Sequence, residues 1–510
     1  MDYGVHITYG AQPWRIYQQD DSGAADIEIG GTWRRARVVV PSKLPIVIVD
    51  SAGEQQASAE MGAGTDGSGS AMPDTTDNKR GAGEQQAGAV ADTPVTVLAR
   101  VVYEDTGGAA MDWQTCEKGA GNDWSVVLRG VPAGGLYRIE TCMEYDGEDG
   151  LSVTRGDMVH HIGVGDVFLI AGQSNAAGRG KGAVADPPEP GVHMLRPSGC
   201  WDMAVHPLTE GTGAVFMGGF ENRNPGHSPW IRFAKTMRGR LGYPIGLVNA
   251  AYGGAPLSWW NPDEDGALLD NAAALLKYAD TRVKAVLWYQ GEAEAYEHSS
   301  ENYVRRFTSF LSHLRDRLGS PDLPVITVQL NRYLTESDIE ADRHWGMVRE
   351  AQRVLPKTDK NLFVVPSFDL SLCDVIHNSP ESDLIIGERC AAAAFYEIYG
   401  MRNVEYRGCE ARRAVRLSQT RVLVEFDNVR HRLNLLETPA GLLPFEAEDA
   451  EGFQKPRAAT LGRNTLELEF ARPLGENAAL HGAWRAGGAY CAPWDGSRMP
   501  MLAFYGMRIE

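Results

Sequence analysis

Two short stretches of the chain carry the residue types that nucleophilic catalysis requires. The apolar run Val167–Ala171 leads directly into Gly172-Gln173-Ser174-Asn175. A glycine two positions ahead of a serine permits a sharp turn that holds the hydroxyl toward solvent, with the serine amide pointing the same way. A serine hydroxyl is a weak nucleophile until a base takes its proton, so a histidine and an orienting carboxylate are also needed. Asp374-Val375-Ile376-His377 supplies both. Residues three apart on a turn share a side, which lets Asp374 hold the Nδ1 proton of His377 while Nε2 faces Ser174. Alone, the first stretch also reads as a turn or helix cap, and the second as a capping Asp with a surface His. Their order, Ser then Asp then His within one α/β region, joins them into one reading.

Such groups need strand ends to hold them. The runs Val167–Ala171, Ile245–Ala250, Val283–Tyr289, Val325–Leu330 and Leu362–Pro366 alternate with helix-like stretches near Pro229–Leu241, Leu268–Ala279, Tyr303–Leu318, Trp345–Leu355 and Leu384–Tyr399. Near-continuous apolar strands separated by helices predict a parallel sheet with helices on both faces, whose ligands collect beyond the C-terminal strand ends. Two further strand ends are loaded. After Ile245–Ala250, either Gly253 or Gly254 presents a bare backbone N–H to a developing oxyanion. After Val283–Leu287, Trp288-Tyr289-Gln290-Gly291-Glu292 offers the Gln290 amide as another donor. Trp259, Trp260 and Trp288 read equally as core or as walls on which a sugar stacks.

The flanks have a different texture. Residues 1–50 alternate apolar and polar, and so do Pro94–Val102, Trp124–Arg129 and Gly135–Thr141, predicting short strands that share one small sandwich. Between them, 51–92 collapses into Gly, Ala, Ser, Gln, Asp and Thr, too poor in bulky apolar groups to offset the entropy of ordering, and reads as a flexible insertion. After Gly400 the alternations Arg421–Phe426 and Thr465–Phe470 predict a second β-rich unit. The expected domains are therefore 1–160, 161–400 and 401–510, three units in 510 residues, as the prior of one domain per roughly 150 residues suggests.

Composition excludes several classes. The formal charge of −18 repels phosphate backbones and acidic membrane surfaces, and there is no Lys/Arg-rich run to reverse that locally, so neither nucleic acid nor membrane is an expected partner. Seven scattered cysteines without a CxxC pair speak against zinc ribbons, redox motifs and disulfide frameworks, and no metal is expected. The first residues lack a positive start followed by an apolar stretch, and no later run approaches about 18 apolar residues, so a cytoplasmic setting with reduced thiols is the expectation.

Taken together, GQSN, the YGG turn, WYQGE and DxxH resemble the successive blocks of the SGNH hydrolase superfamily, in its sialate O-acetylesterase and acetylxylan-esterase branch. Residues 201–208 and 244–249 resemble lesser marks of that branch, and the likeness covers about 160–400. It implies a flavodoxin-like α/β domain flanked by β domains. It also implies Ser174 as nucleophile, His377 as base, Asp374 as its orienter, and an oxyanion hole of the Ser174 amide, the Gly253 or Gly254 amide and Gln290. Gln173, Asn175, Trp259, Trp288, Glu292 and Arg179 are the candidates for substrate contact. The pattern departs from the family at Ala176, where a Met is usual, and at Ala293, where the common motif continues with Ser.

The resemblance thus implies a cofactor-free serine esterase acting on acetylated sugars. The rivals are an SGNH lipase or thioesterase on longer acyl chains and a non-catalytic carbohydrate-binding protein. A sialate carboxylate would need a local cation, Arg179 or Arg223 for instance.

Overall fold

The computed structural model describes residues 3–35, 94–147, 150–211, 213–215, 225–334, 338–435, 443–488, 492–496 and 499–510. The expected insertion at 51–92, the strands expected within 37–49, and Arg223 lie outside the described residues.

Among the described residues, eight strands lead up to the strand that ends at Gly172: β1 (Gly4–Tyr9), β2 (Ile16–Gln18), β3 (Ala24–Arg34), β4 (Val95–Tyr103), β5 (Ala109–Thr115), β6 (Glu117–Lys118), β7 (Asp123–Pro132) and β8 (Gly134–Gly147). Their period-2 alternation buries Val5, Ile27, Ile29, Val95, Val97, Leu128 and Ile139 in one cluster, so strands from before and after the insertion share a core.

The ninth strand, β9 (Gly150–Gly172), is 23 residues long and carries the chain from one sheet region to the next. Its first part pairs antiparallel with β8, and its last part lies between two parallel neighbours. The strand runs on through 160/161, with an irregular register against β8 between Val159 and Ile162 and His161 at φ +62°. Gly163 and Gly165 make the passage possible, since a Cβ at either would run into Pro244 at 2.8 and 1.9 Å. Asp166, fully buried at this joint, accepts from Gln18 Nε2, Tyr243 Oη and Tyr399 Oη at 2.8, 2.8 and 2.7 Å.

The mixed α/β centre adds β10 (Val192–Leu195), β11 (Trp201–Met203), β12 (Ile245–Asn249), β13 (Ala285–Tyr289), β14 (Val325–Val328) and β15 (Leu362–Val365). The spatial order is β11-β10-β12-β9-β13-β14-β15, and every pairing except β10 with β11 is parallel. Val167–Ala171 and Ala285–Tyr289 are entirely buried. Because successive side chains point to opposite faces, both faces of these strands are covered.

The covering helices are α1 (Ser174–Ala177), α2 (Trp230–Leu241), α3 (Ala267–Tyr278), α4 (Ser299–Arg317), α5 (Ile339–Val354) and α6 (Pro380–Glu397). In α2 the buried residues Trp230, Phe233, Ala234 and Met237 follow the i, i+3, i+4, i+7 spacing of one helical face. Removing the Phe233 ring from that face would cost about 3–5 kcal/mol. Left-handed Gly242, φ 81°, ends the helix. Ser379 starts α6, its hydroxyl accepting from Ser382 N with Pro380 in the first turn. No helix among the described residues is long and apolar enough to cross a membrane.

The chain end forms two four-stranded sheets over a separate cluster around Val422, Phe445, Leu466 and Phe504. Fully buried Arg349 of α5 bolts them to the centre, donating to the carbonyls of Leu330 and Asn331 at 3.0 and 2.6 Å and of Ala483 and Arg485 at 2.8 and 2.9 Å.

Candidate active site

Three adjacent parallel strands, β12, β9 and β13, end side by side, and each ends on one of the blocks singled out above. The crevice at such neighbouring C-terminal strand ends is where open α/β sheets bind ligands. Gly172 closes β9 against β13. A Cβ there would lie 2.1 Å from the Tyr289 carbonyl, and the backbone at φ +127° favours glycine. Gln173 is extended, its N–H donating to Tyr289 O at 2.9 Å, and the chain then turns abruptly into α1 at Ser174. The first intrahelical donor is Ala177 N, which leaves the Ser174 N–H outside the helical ladder. Ser174 is half-buried.

The loop after β15 brings in the histidine. Asp374 Oδ2 lies 2.7 Å from His377 Nδ1, while Oδ1 accepts from the backbone N–H of Ile376 and His377 at 2.8 and 2.7 Å. That Asx turn fixes carboxylate and imidazole together and places the ring proton on Nδ1, leaving Nε2 as an acceptor. Burial works against ionisation of Asp374, but the Ile376 and His377 donors outweigh it and hold the carboxyl below the usual range. The His377 side chain is 18% exposed.

Asn175 ties the two halves. Its Nδ2 donates to Glu292 Oε1 at 2.6 Å and to Ile376 O at 3.3 Å, and its Oδ1 accepts from Asn378 N at 3.1 Å. The residue after the nucleophile candidate is thus bonded to both neighbours of His377. Gln173 makes the matching link to the third block, its Oε1 accepting from Ala293 N at 3.1 Å. Both side chains are buried, so they hold the site's framework. Burial raises the Glu292 carboxyl, against the pull of the Asn175 amide, and its Oε2 is buried with no hydrogen-bond partner.

The oxyanion candidates are placed unequally. Gly254 is exposed at φ +68°, with open space around it, so it makes the turn. Gln290 is fully buried, and its Nε2 reaches Ala255 O and Glu294 Oε1, each at 3.4 Å. Trp288 and Trp260 are corrections to the sugar-wall reading. Both are fully buried, Trp288 packing on Trp260, Phe307 and Phe310 at 5.3, 5.6 and 4.6 Å, because both faces of β13 are covered. Trp259 is 38% exposed and lies 5.9 Å from Tyr252 with the rings at 68°. Arg179 is 4% exposed and donates to Gly178 O at 3.0 Å, so it braces the segment behind α1.

Two residues went unnoticed in the sequence. Fully buried Glu294 accepts from Leu257 N at 2.5 Å and from Ser299 Oγ and Arg306, pinning the Gly253–Gly254 loop to α4. Asn378 is held by Asn331 Nδ2 at 2.7 Å, which steadies the histidine loop from behind. A cavity of about 730 Å³ lies elsewhere, lined among others by Arg15, Tyr17 and Asp280. Those lining groups include no nucleophile with a base.

A family model described as carbohydrate esterase, sialic acid-specific acetylesterase, matches residues 164–396, a span that contains all four blocks. A probable carbohydrate esterase of Arabidopsis thaliana is 30% identical over 276 residues, covering 48% of this chain and 97% of that protein. The crystal structure of a carbohydrate acetylesterase from Xanthomonas citri is similar in fold, with a TM-score of 0.55 at 21% identity over 80% of this chain and 92% of that one.

Proposed function

Because the chain belongs to the carbohydrate esterase family of sialic acid-specific acetylesterases, we propose that it removes O-acetyl groups from sugars, sialate-type sugars foremost, through Ser174, His377 and Asp374. Ser174 Oγ attacks the acetyl carbonyl and gives its proton to His377 Nε2. Asp374 holds Nδ1 and stabilises the imidazolium that forms. The oxyanion is received by the Ser174 N–H, the Gly253 or Gly254 N–H and Gln290 Nε2, whose present contacts at 3.4 Å are long bonds that a charged oxygen replaces. His377 then protonates the sugar oxygen as the C–O bond breaks. Water attacks the acetyl-serine, its proton passing through His377, and acetate leaves with Ser174 restored.

The observation that carries this reading is the Asn175 bridge, which fixes the turn of Ser174 to both sides of the Asp374-held His377. The strand order around β9 supports an SGNH-type centre over 161–400, with β units over 1–160 and 401–510 as its flanks. Trp259 is the sugar-facing aromatic.

Acetate release measured on O-acetylated sialic acid, acetylated xylooligosaccharides and p-nitrophenyl esters of two chain lengths tests the reading. Turnover of acetyl sugars, highest for the sialate, is expected. Faster turnover of an octanoyl than an acetyl ester would make the enzyme a lipase or thioesterase. Sugar binding without acetate release would make it a binding protein.

A further inference from the structure

Behind the nucleophile segment, outside the catalytic groups, Asp186, His206 and His227 converge. Asp186 Oδ2 lies 3.0 Å from His206 Nε2 and 3.3 Å from His227 Nε2, and one donor atom of each residue falls within 4.8 Å of the other two. The two imidazoles are stacked with centroids 3.8 Å apart. His227, 8% exposed, turns a buried Nε2 toward this point, its 3.3 Å approach to Asp186 Oδ2 lacking hydrogen-bond geometry.

We propose that Asp186, His206 and His227 form a site for a divalent transition metal, Zn2+ foremost, with Asp186 Oδ2 and the two Nε2 atoms as ligands and water completing the coordination. Ligands of a tetrahedral zinc at ordinary bond lengths of about 2.1 Å lie about 3.4 Å apart, close to the Asp186–histidine separations. The second nitrogen of His227 is already committed: Nδ1 lies 3.1 Å from Oδ2 of the buried Asp383. A carboxylate on the far nitrogen is the arrangement that fixes the tautomer of a metal-bound histidine and leaves its other nitrogen bare. Lys235 Nζ holds Asp186 Oδ1 at 2.6 Å, leaving Oδ2 for an ion.

The backbone is fitted to this cluster. Gly180 pairs with His227, and a Cβ on Gly180 would lie 2.8 Å from Asp383 Oδ2 and 3.1 Å from His227 Cβ. The chain just past Ser174, the entry to α2 and the first turn of α6 therefore meet at the proposed ion. Its role is to fasten the segment after the nucleophile to the base of the histidine loop, so it is structural rather than reactive.

The test is Co2+ and Zn2+ titration of chelator-treated protein, followed by visible absorption, calorimetry and thermal unfolding. One Co2+ per chain with the bands of a low-coordinate His-carboxylate site is expected, displaced by Zn2+, together with a rise in Tm. His206→Gln and His227→Gln should abolish the bands and the Tm rise. Asp383→Asn should weaken affinity about 10–100-fold, Lys235→Met should tighten it, and His298→Gln, at a histidine that is 83% exposed, should leave it unchanged. Absence of stoichiometric binding to the wild type, or binding that survives in both histidine variants, would overturn the proposal and leave an Asp186–His227–Asp383 ion-pair network only. The wild-type titration and the Lys235 variant decide the matter even if a histidine variant fails to fold.

Discussion

Asn175 and Asn378, 203 residues apart in sequence, are joined by a 3.1 Å hydrogen bond from the Asn378 N–H to the Asn175 side-chain oxygen. The bond spans the site: one partner follows Ser174, the other follows His377. The turn of Ser174, the proposed nucleophile, and the loop of His377, the proposed base, are thereby tied together by a buried amide.

Asn175→Ala removes that bond and the donor to Glu292 Oε1, leaving buried polar groups unsatisfied. A loss of about 1–3 kcal/mol is expected, read as a lower midpoint in denaturant unfolding. Turnover should fall by more than tenfold even at temperatures where the variant is fully folded. An unchanged kcat in folded Asn175→Ala would show that the bridge does not position the site.

Glu292 gives a pH dependence of stability. Its carboxyl is raised by burial above the ordinary 4.5. Below pH 4.5 folded and unfolded chains both hold the proton, so there is no difference. As pH rises through the raised value the unfolded chain has already ionised and the folded one must ionise in a buried setting, so stability is lost. Glu292→Gln keeps an acceptor for Asn175 and cannot ionise. Its Tm should match the wild type in acid and exceed it at neutral pH, the gap opening between the two. A gap that narrows with rising pH would contradict this.

Asp374→Asn keeps the size of the side chain but cannot hold the Nδ1 proton of His377 in the same tautomer. By analogy with other triads, kcat/KM should fall by about 10⁴, with little change in Tm because Asp374 is substantially exposed. Steady-state kinetics with an acetyl ester, beside a thermal melt, separates the catalytic effect from an unfolding one.

Gln290→Ala removes a proposed oxyanion donor. A drop of about 10²–10³ in kcat is expected, with KM little altered. A change confined to KM or to Tm would reassign Gln290 to bracing the Ala255 turn, the contact it makes here.

Much of the centre was legible because its signals are local. The run Ile245–Ala250 became β12, ending at Asn249, and the helix expected near Pro229–Leu241 became α2 from Trp230 to Leu241. The hydrogen bond between Asp374 and His377 spans three positions, so spacing alone could suggest it. What spacing could not suggest depends on distant partners. Glu294 anchors Leu257, 37 residues away, and Asn378 is held by Asn331, 47 away. A buried acidic residue looks like any surface Glu until Arg306 and Ser299 are folded against it. Trp288 was ambiguous for a related reason: an aromatic one residue before a strand end serves core and cleft equally well in sequence, and only coverage of both sheet faces decides. At 160/161 β9 carries no connecting loop, only an irregular register between Val159 and Ile162 with His161 at φ +62°, so the passage between sheet regions is marked by local backbone geometry that composition does not reveal.

In the proposed mechanism Ser174 is the nucleophile that carries the acetyl group. Intact-mass analysis and peptide mapping after treatment with a fluorophosphonate probe test it most directly, with Ser174→Ala and His377→Ala as companions. One adduct per chain, mapped to Ser174, absent from Ser174→Ala, strongly slowed in His377→Ala and accompanied by complete loss of acetate release, is the predicted result. Labelling at another residue, or wild-type acetate release by the Ser174→Ala enzyme, would show that Ser174 is not the nucleophile.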